Sequence, residues 1–450
     1  GVNRPGHISR HYHTISRTKR TELRFRKEGS CAGGVAMMLQ APTSCGVQQR
    51  CLPSLCTFRS TDVTSCRYVR RMQSLRTTSR AHVTVVCSLN NSTVVQAPRP
   101  TTLQQRDNLR LALPSKGRMA EDTLQLLRDC QLTVVKPNPR QYVAEIAQMP
   151  GLEVWFQRAT DVVRKLLYGD VDLGIVGADM VAEIGNDDPD LVVVHDGLSF
   201  GKCHLALGVP NTGKFAGVKS LDDLKRMYSS EQAPLRVVTG YHNVARKFFA
   251  DNNFEHVKLL SADGALEAAP AMGFADIILD LVSSGVTLRE NNLREVAGGR
   301  VMASQGVLVA SRRALLERPG LLGLVHELLE RLDAHLVADS YYSVVANMRG
   351  ESAEAVAALL LGSKLLGGLE GPTISPVLTR GADGGPAQHG FYAAQVCVPK
   401  SLLYPAVKEI RKLGGSGVLV LPIMYIFDEE PHRWRALLDT LGLSRGDVAV

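Results

Sequence analysis

Several features are scarce in this 450-residue chain, and each scarcity narrows what it can be. No apolar run approaches the roughly 18 residues that a bilayer-spanning helix needs. Ile277–Val282 and Gly417–Ile426 reach only core-strand length, so a membrane is not expected as a partner. Cysteine is thin where it would matter: Cys130, Cys203 and Cys397 stand isolated in the body, the other six lie within the first 100 residues, and no body pair has metal-ligand or disulfide spacing. A reduced compartment without structural zinc is the expectation. Acidic residues are nearly missing from the first 100 residues, which hold Glu22, Glu28 and Asp62 against 16 Lys and Arg. Residues 101–450 carry 36 basic and 41 acidic side chains, so the net charge of +8 belongs to the N-terminus and the body is mildly acidic. That split excludes reading the basic pI as a nucleic-acid surface.

What is present begins with a leader. Residues 1–106 are rich in Arg, Ser and Thr and lack sustained periodicity. Such a segment buries too little apolar surface to offset chain entropy. Its composition is that of an organelle transit peptide, with processing expected near Val86–Ser88. A disordered basic tail is the alternative, but no aromatic interleaving or RGG-type repeat supports nucleic-acid binding.

From Leu109 onward, short apolar runs alternate with helical patterns. Leu109–Leu113, Val143–Ala147, Leu152–Gln157, Leu173–Val176, Leu191–His195, Leu205–Val209, Leu235–Val238, Val257–Leu260 and Ile277–Val282 read as strands. Ala120–Cys130, Ala159–Tyr168, Ser220–Met227 and Asn243–Ala250 read as helices. The alternation predicts a doubly wound α/β architecture with two lobes and a cleft. The turn Pro114–Met119 places Lys116 and Arg118 before a helix, which suits an anion and equally suits an ordinary strand–helix turn. Asp179 falls at a strand's C-terminal end, where open α/β sheets hold ligands. The sharpest local signal is the strand carrying Asp280, followed by Ser283-Ser284-Gly285-Val286-Thr287. Its backbone N–H groups and three hydroxyls form a candidate phosphate cradle, and the acid upstream suits a pair of ribose hydroxyls. An ordinary strand-to-helix turn is the alternative.

Five segments, taken in order, resemble one family. Leu113–Arg118, Asp172–Gly177, Thr239–Arg246, Asp263–Pro270 and Asp280–Leu288 are similar to stretches of ATP phosphoribosyltransferases, the last to that family's phosphoribosyl-diphosphate signature. Ser284 replaces a commoner Thr, Val286 a commoner Ala, and Met272 stands where a basic residue is frequent. The resemblance spans roughly residues 107–427. It implies a two-lobed fold like that of type II periplasmic binding proteins, with lobe I from 107–203 and 293–336 and lobe II from 204–292. It also implies transfer of the phosphoribosyl group of 5-phosphoribosyl diphosphate to ATP with Mg2+, the first step of histidine biosynthesis, in the chloroplast.

On that footing Ser283, Ser284, Gly285, Val286 and Thr287 are expected at the ribose 5-phosphate, with Asp280 and Glu267 near the ribose hydroxyls. Lys116 and Arg118 are expected to face pyrophosphate or the ATP phosphates. Arg158, Asp179, Tyr241 and Arg246 are further cleft candidates, whereas His195, His204, His242 and His256 are scattered and read as structural. No protein metal ligand is assigned.

After a helical stretch at Ala314–Leu336, the remainder reads β-α-β-β-α-β: Ser340–Met348, Ser352–Leu361, Thr373–Leu378, Phe391–Val398, Ser401–Leu413 and Gly417–Pro422. That is the ferredoxin-like order. The resemblance makes residues 338–428 an ACT-like regulatory domain binding L-histidine as inhibitor, with Leu369 and Thr373 at the effector loop, and it implies a homo-oligomer, hexameric or dimeric. Gly381–Gly390 reads as a flexible hairpin insertion, and 429–450 as a tail. The rival readings are a two-lobed small-ligand-binding protein and a different phosphoribosyltransferase.

Overall fold

The computed structural model describes residues 100–448 apart from 101, 139, 263 and 380–387. The transit-peptide and hairpin-insertion expectations therefore fall outside the described residues, except for 100, 102–106 and 388–390. Among the described residues the strands form three sheets.

Lobe I is built on the order Val134–Val135, Val143–Ile146, Leu152–Gln157, Leu109–Pro114, Leu173–Gly177, Gly306–Ser311, Leu191–His195. Leu109–Pro114 pairs in parallel with the strands on both sides. Gly306–Ser311 enters antiparallel to its neighbours. The period of two divides the strands between two faces. Leu111, Leu113, Leu308 and Ala310 pack against the helices Arg118–Asp129 and Leu321–Ala338. Ala112, Val307 and Val309 pack against Val162, Val163 and Leu166 of the helix Ala159–Tyr168. The central strands Leu109–Pro114, Leu173–Gly177 and Gly306–Ser311 are buried on both faces, which is why they read as continuous apolar runs, whereas Leu152–Gln157 alternates.

Lobe II has the order Leu293–Ser304, Cys203–Pro210, Ile277–Val282, Leu235–Thr239, Val257–Leu260. Its core combines Leu205, Leu207, Val237 and Leu279 with Ala245 and Phe249 of the helix His242–Asp251. The chain enters this lobe after His195 and leaves it between Ser304 and Gly306. The two crossings are tied together where Leu198 N–H donates to the Gly306 carbonyl at 2.9 Å and Gly306 N–H donates to Phe200 at 3.0 Å.

Two expected boundaries move. Leu293–Ser304, assigned above to lobe I, pairs with Cys203–Pro210 and belongs to the lobe II sheet. Gly298 and Gly299 interrupt its apolar pattern, and its register shifts twice after Glu295, the mark of an irregular strand that simple periodicity passes over. Within the expected tail, the described residues 429–448 contribute to the lobe I core as well. The helix His432–Leu441 inserts Trp434, Leu437, Leu438 and Leu441 into the lobe I core. Those four residues recur at i, i+3, i+4 and i+7, one face of a helix.

The third sheet runs Thr373–Thr379, Gln388–Pro399, Tyr341–Arg349, Ser416–Pro422, all antiparallel, with helices at Ala353–Leu361 and Leu403–Lys412. This is the strand order of a ferredoxin-like domain. Its core joins Val344, Ala346 and Val396 to Leu360 and Ile410.

Trp434 is 2% exposed within the lobe I core. Trp434→Ala is therefore expected to cost about 3–5 kcal/mol of stability in denaturant unfolding followed by far-UV circular dichroism. A loss within about 0.5 kcal/mol, the range of surface substitutions, would show that the helix is only docked on the surface.

Candidate active site in the interlobe cleft

Three loops of lobe I leave the sheet at the C-terminal ends of neighbouring parallel strands, and each delivers a polar side chain to the same place. Lys116 and Arg118 follow Leu109–Pro114, Arg158 follows Leu152–Gln157, and Asp179 follows Leu173–Gly177. All four line a cavity of about 680 Å³, closed on the far side by Tyr241, Leu281 and Ser283 of lobe II. The crossing segment adds Lys202 and Cys203. Ligands sit outside the carboxyl ends of strands in open α/β folds because loop backbone and helix N-termini converge there. Of the charged lining residues, Lys116, Arg118, Arg158 and Lys202 outnumber Asp122 and Asp179, a balance that suits an anion.

Asp179 is 6% exposed and fully engaged. The Tyr241 hydroxyl donates to its Oδ2 at 3.0 Å, the Ser304 hydroxyl donates to its Oδ1 at 2.5 Å, and its own N–H donates to Ser304 Oγ at 3.1 Å. Gly177 makes this turn possible, since a Cβ there would collide with Asp179 Oδ1. Burial pushes the Tyr241 phenol far above its ordinary value, and the charge of Asp179 and the hydrogen bond to it push it further. Tyr241 thus stays a neutral donor holding the two lobes together.

The candidate phosphate loop follows the strand Ile277–Val282. Gly285 takes φ +69° and opens the helix Val286–Glu290, whose first turn has no side-chain cap. The left-handed turn favours glycine, and the first-turn N–H groups have no side-chain cap. Ser283, Ser284, Val286 and Thr287 are exposed. Of the loop, Ser283 reaches the cavity lining. Asp280 accepts the Leu281 N–H at 2.7 Å. Burial, and then the charge of Glu267, hold its carboxyl above the usual range.

Other sequence-predicted residues fall elsewhere. Arg246 is exposed outside the cavity lining, its guanidinium donating to Asn243 Oδ1 at 3.0 Å. Leu369 and Thr373 are exposed in the third domain, the latter at the start of its strand. His195 is buried with Nε2 3.1 Å from Asp333, His204 lies 2.8 Å from Glu295, and His242 lies 2.7 Å from Ser261 Oγ, all structural pairings. His256 lies 3.9 Å from Glu255. Ser304 escaped the sequence reading because it is 125 residues from Asp179 and no local motif surrounds it.

Comparison with known proteins gives the geometry its family. A family model described as ATP phosphoribosyltransferase matches residues 158–334, and one described as HisG, C-terminal domain, matches 338–425. The chain is 54% identical over 377 residues to ATP phosphoribosyltransferase 1, chloroplastic, of Arabidopsis thaliana, covering 83% of this chain and 91% of that protein. It is 53% identical over 399 residues to ATP phosphoribosyltransferase 2, chloroplastic, of the same plant, covering 88% and 90%. The ATP phosphoribosyltransferase of Gemmatimonas aurantiaca is 34% identical over 319 residues, 70% of this chain and 98% of that one. The plant relatives agree with the chloroplast that the resemblance implied and with the organelle leader read from composition, and this is a chloroplast protein. With both models matched in order and nearly the whole of a plant relative covered, the chain belongs to the ATP phosphoribosyltransferase family, in its long form.

Proposed function

We propose that the interlobe cleft carries the family's reaction and that each lobe anchors one side of it. The protein is an ATP phosphoribosyltransferase, the first enzyme of histidine biosynthesis. Nitrogen 1 of the adenine of ATP attacks C1 of 5-phosphoribosyl diphosphate. The C1–N bond forms as the C1–O bond to diphosphate breaks, and pyrophosphate leaves with both bonding electrons.

In this reading Ser283, Ser284, Gly285, Val286 and Thr287 hold the ribose 5-phosphate through backbone N–H groups and hydroxyls. Asp280 and Glu267 accept from the ribose hydroxyls and lie near the oxocarbenium charge that develops at C1. Lys116, Arg118 and Arg158 face the leaving pyrophosphate or the ATP phosphates. The supporting observation is that these cations, from two neighbouring strand-end loops, share one cavity with Ser283 of the opposite lobe. The transfer needs little covalent help, so positioning and charge stabilisation of the leaving group supply the rate. Asp179 and Tyr241 bond to each other and act as a strut.

Magnesium enters as cargo of the diphosphate. Among the described residues no group of three or more His, Cys, Asp or Glu is placed to hold a metal. An ion carried in on the diphosphate would need no resident protein site in this cleft. The ferredoxin-like domain is read as the L-histidine sensor, with Leu369 and Thr373 at its effector loop, in a homo-oligomer. Inhibition would then be a coupling free energy between two separate sites.

Pyrophosphate release by the purified protein, followed with ATP, phosphoribosyl diphosphate and magnesium, tests the whole reading. Turnover is expected to need both substrates and to fall with histidine. Turnover indifferent to histidine would remove the sensor role, and binding without turnover would favour a two-lobed binding protein. Lys116→Ala is expected to lower kcat about 10²-fold by removing charge from the leaving group's side; a wild-type kcat would take Lys116 out of the site.

Asp280 gives a pH-dependent outcome. Its folded pKa lies above its unfolded value, so the folded chain binds the proton more tightly and stability falls as pH rises from one to the other. Above that window the charge is a net cost. Asp280→Asn is expected to raise the melting temperature at neutral pH, the gain vanishing on acidification, while turnover falls. A melting temperature lowered at neutral pH would contradict this.

A further inference from the structure

A second carboxylate crosses between the lobes, away from the cavity lining. Glu183 lies on the wide π-helical turn Val181–Gly185 of lobe I and is 6% exposed. Its charge is met by the backbone of lobe II. Oε2 accepts from the N–H of Asn243 at 2.9 Å and of Val244 at 3.0 Å, and Oε1 lies 3.1 Å from Asn243 N. Asn243 Nδ2 donates in return to the Glu183 carbonyl at 2.8 Å.

Asn243 and Val244 are the second and third residues of the ten-residue helix His242–Asp251, which has no side-chain cap of its own. A helix N-terminus leaves N–H groups unsatisfied and carries partial positive charge, and a carboxylate supplies both needs. Here the cap comes from the other lobe. The residue before that helix is Tyr241, whose hydroxyl reaches back to Asp179. Two buried carboxylates four residues apart therefore grip one turn of lobe II.

That turn is rigidly joined to the rest of its lobe. Ala245 and Phe249 of the helix pack with Ile277 and Leu279, on the strand that carries Asp280 and leads into the Ser283–Thr287 loop. We propose that Glu183 is a positioning residue for the phosphoribosyl transfer: through the helix His242–Asp251 it fixes the angle at which lobe II presents its phosphate loop to Lys116 and Arg118. The inference rests on the reading of the cleft given above. Each substrate is anchored chiefly on one lobe, so loosening the grip spoils the approach of the two reacting atoms more than it spoils either binding step.

The test compares Glu183→Ala and Glu183→Gln with the wild type in the full chain, measuring kcat, KM and the calorimetric Kd of magnesium phosphoribosyl diphosphate alone. Misplacement of about 1 Å costs on the order of 10²-fold, so Glu183→Ala is expected to lower kcat about 10- to 100-fold. The Kd is expected to stay near the wild-type value. Glu183→Gln should recover most of kcat, because its amide oxygen can accept the same two N–H groups. An Ala variant with wild-type kcat, a Gln variant as slow as Ala, or a Kd that weakens in step with kcat would each overturn the inference while leaving the cleft reading in place. Absence of turnover in the wild type would instead remove the cleft reading, and the inference with it. If the Ala variant does not fold, Glu183→Asp, one methylene short of the N–H groups, is judged by the same criteria.

Discussion

Two lobes with separate cores, joined among the described residues by only two chain crossings, owe their register to buried carboxylates. Asp179 and Glu183 are each taken out of water, which is costly for a charge unless every lone pair finds a donor. Their donors come mainly from across the gap: the Tyr241 hydroxyl and Ser304 for one, the Asn243 and Val244 N–H groups for the other. Neither carboxylate is satisfied by its own lobe alone. Separation of the lobes would have to be matched by water entering at both points, so the grip is strong when dry and reversible when wet. A cleft that must admit two large anionic substrates and then bring them together has use for such a joint.

The arrangement of cations around the cavity has the same economy. The parallel pairing of Leu109–Pro114 with Leu152–Gln157 brings the loop of Lys116 and Arg118 beside that of Arg158. The strand order does the gathering, and the residues merely stand at the right distance past the last hydrogen-bonded pair. On the opposite lobe burial, and then the charge of Glu267, hold the Asp280 carboxyl above its usual range.

Much of this was legible in the sequence, and the failures are instructive. Strands buried on both faces, such as Leu173–Gly177, announce themselves as apolar runs, and the helix Ala159–Tyr168 was readable to the residue. The β-α-β-β-α-β order of the third domain was legible because each element is short and separately punctuated. Leu293–Ser304 was assigned to the wrong lobe because two glycines and its irregular register hide the alternation. Of the residues named from local pattern, Lys116 and Arg158 lie on strand-end loops, whereas Arg118 opens a helix, Asp280 lies within a strand and Glu267 on a 3-10 turn. Ser304 and Glu183 were invisible to such patterns. Their partners are 125 and about 60 residues away, and nothing beside them in the chain records the encounter. Arg246 was named from its motif, but the helix turns it to solvent.

The helix His432–Leu441 has a consequence for how the chain is made. Lobe II and the ferredoxin-like domain are each contiguous in sequence, so each can close as soon as its own strands have emerged from the ribosome or an import channel. Lobe I cannot. Its first strand is among the earliest of the described residues to appear, yet its core lacks Trp434, Leu437 and Leu438 until almost the whole chain has followed. The first lobe begun is thus the last one finished, and through the intervening time it carries an open apolar face that a holding chaperone would be expected to recognise.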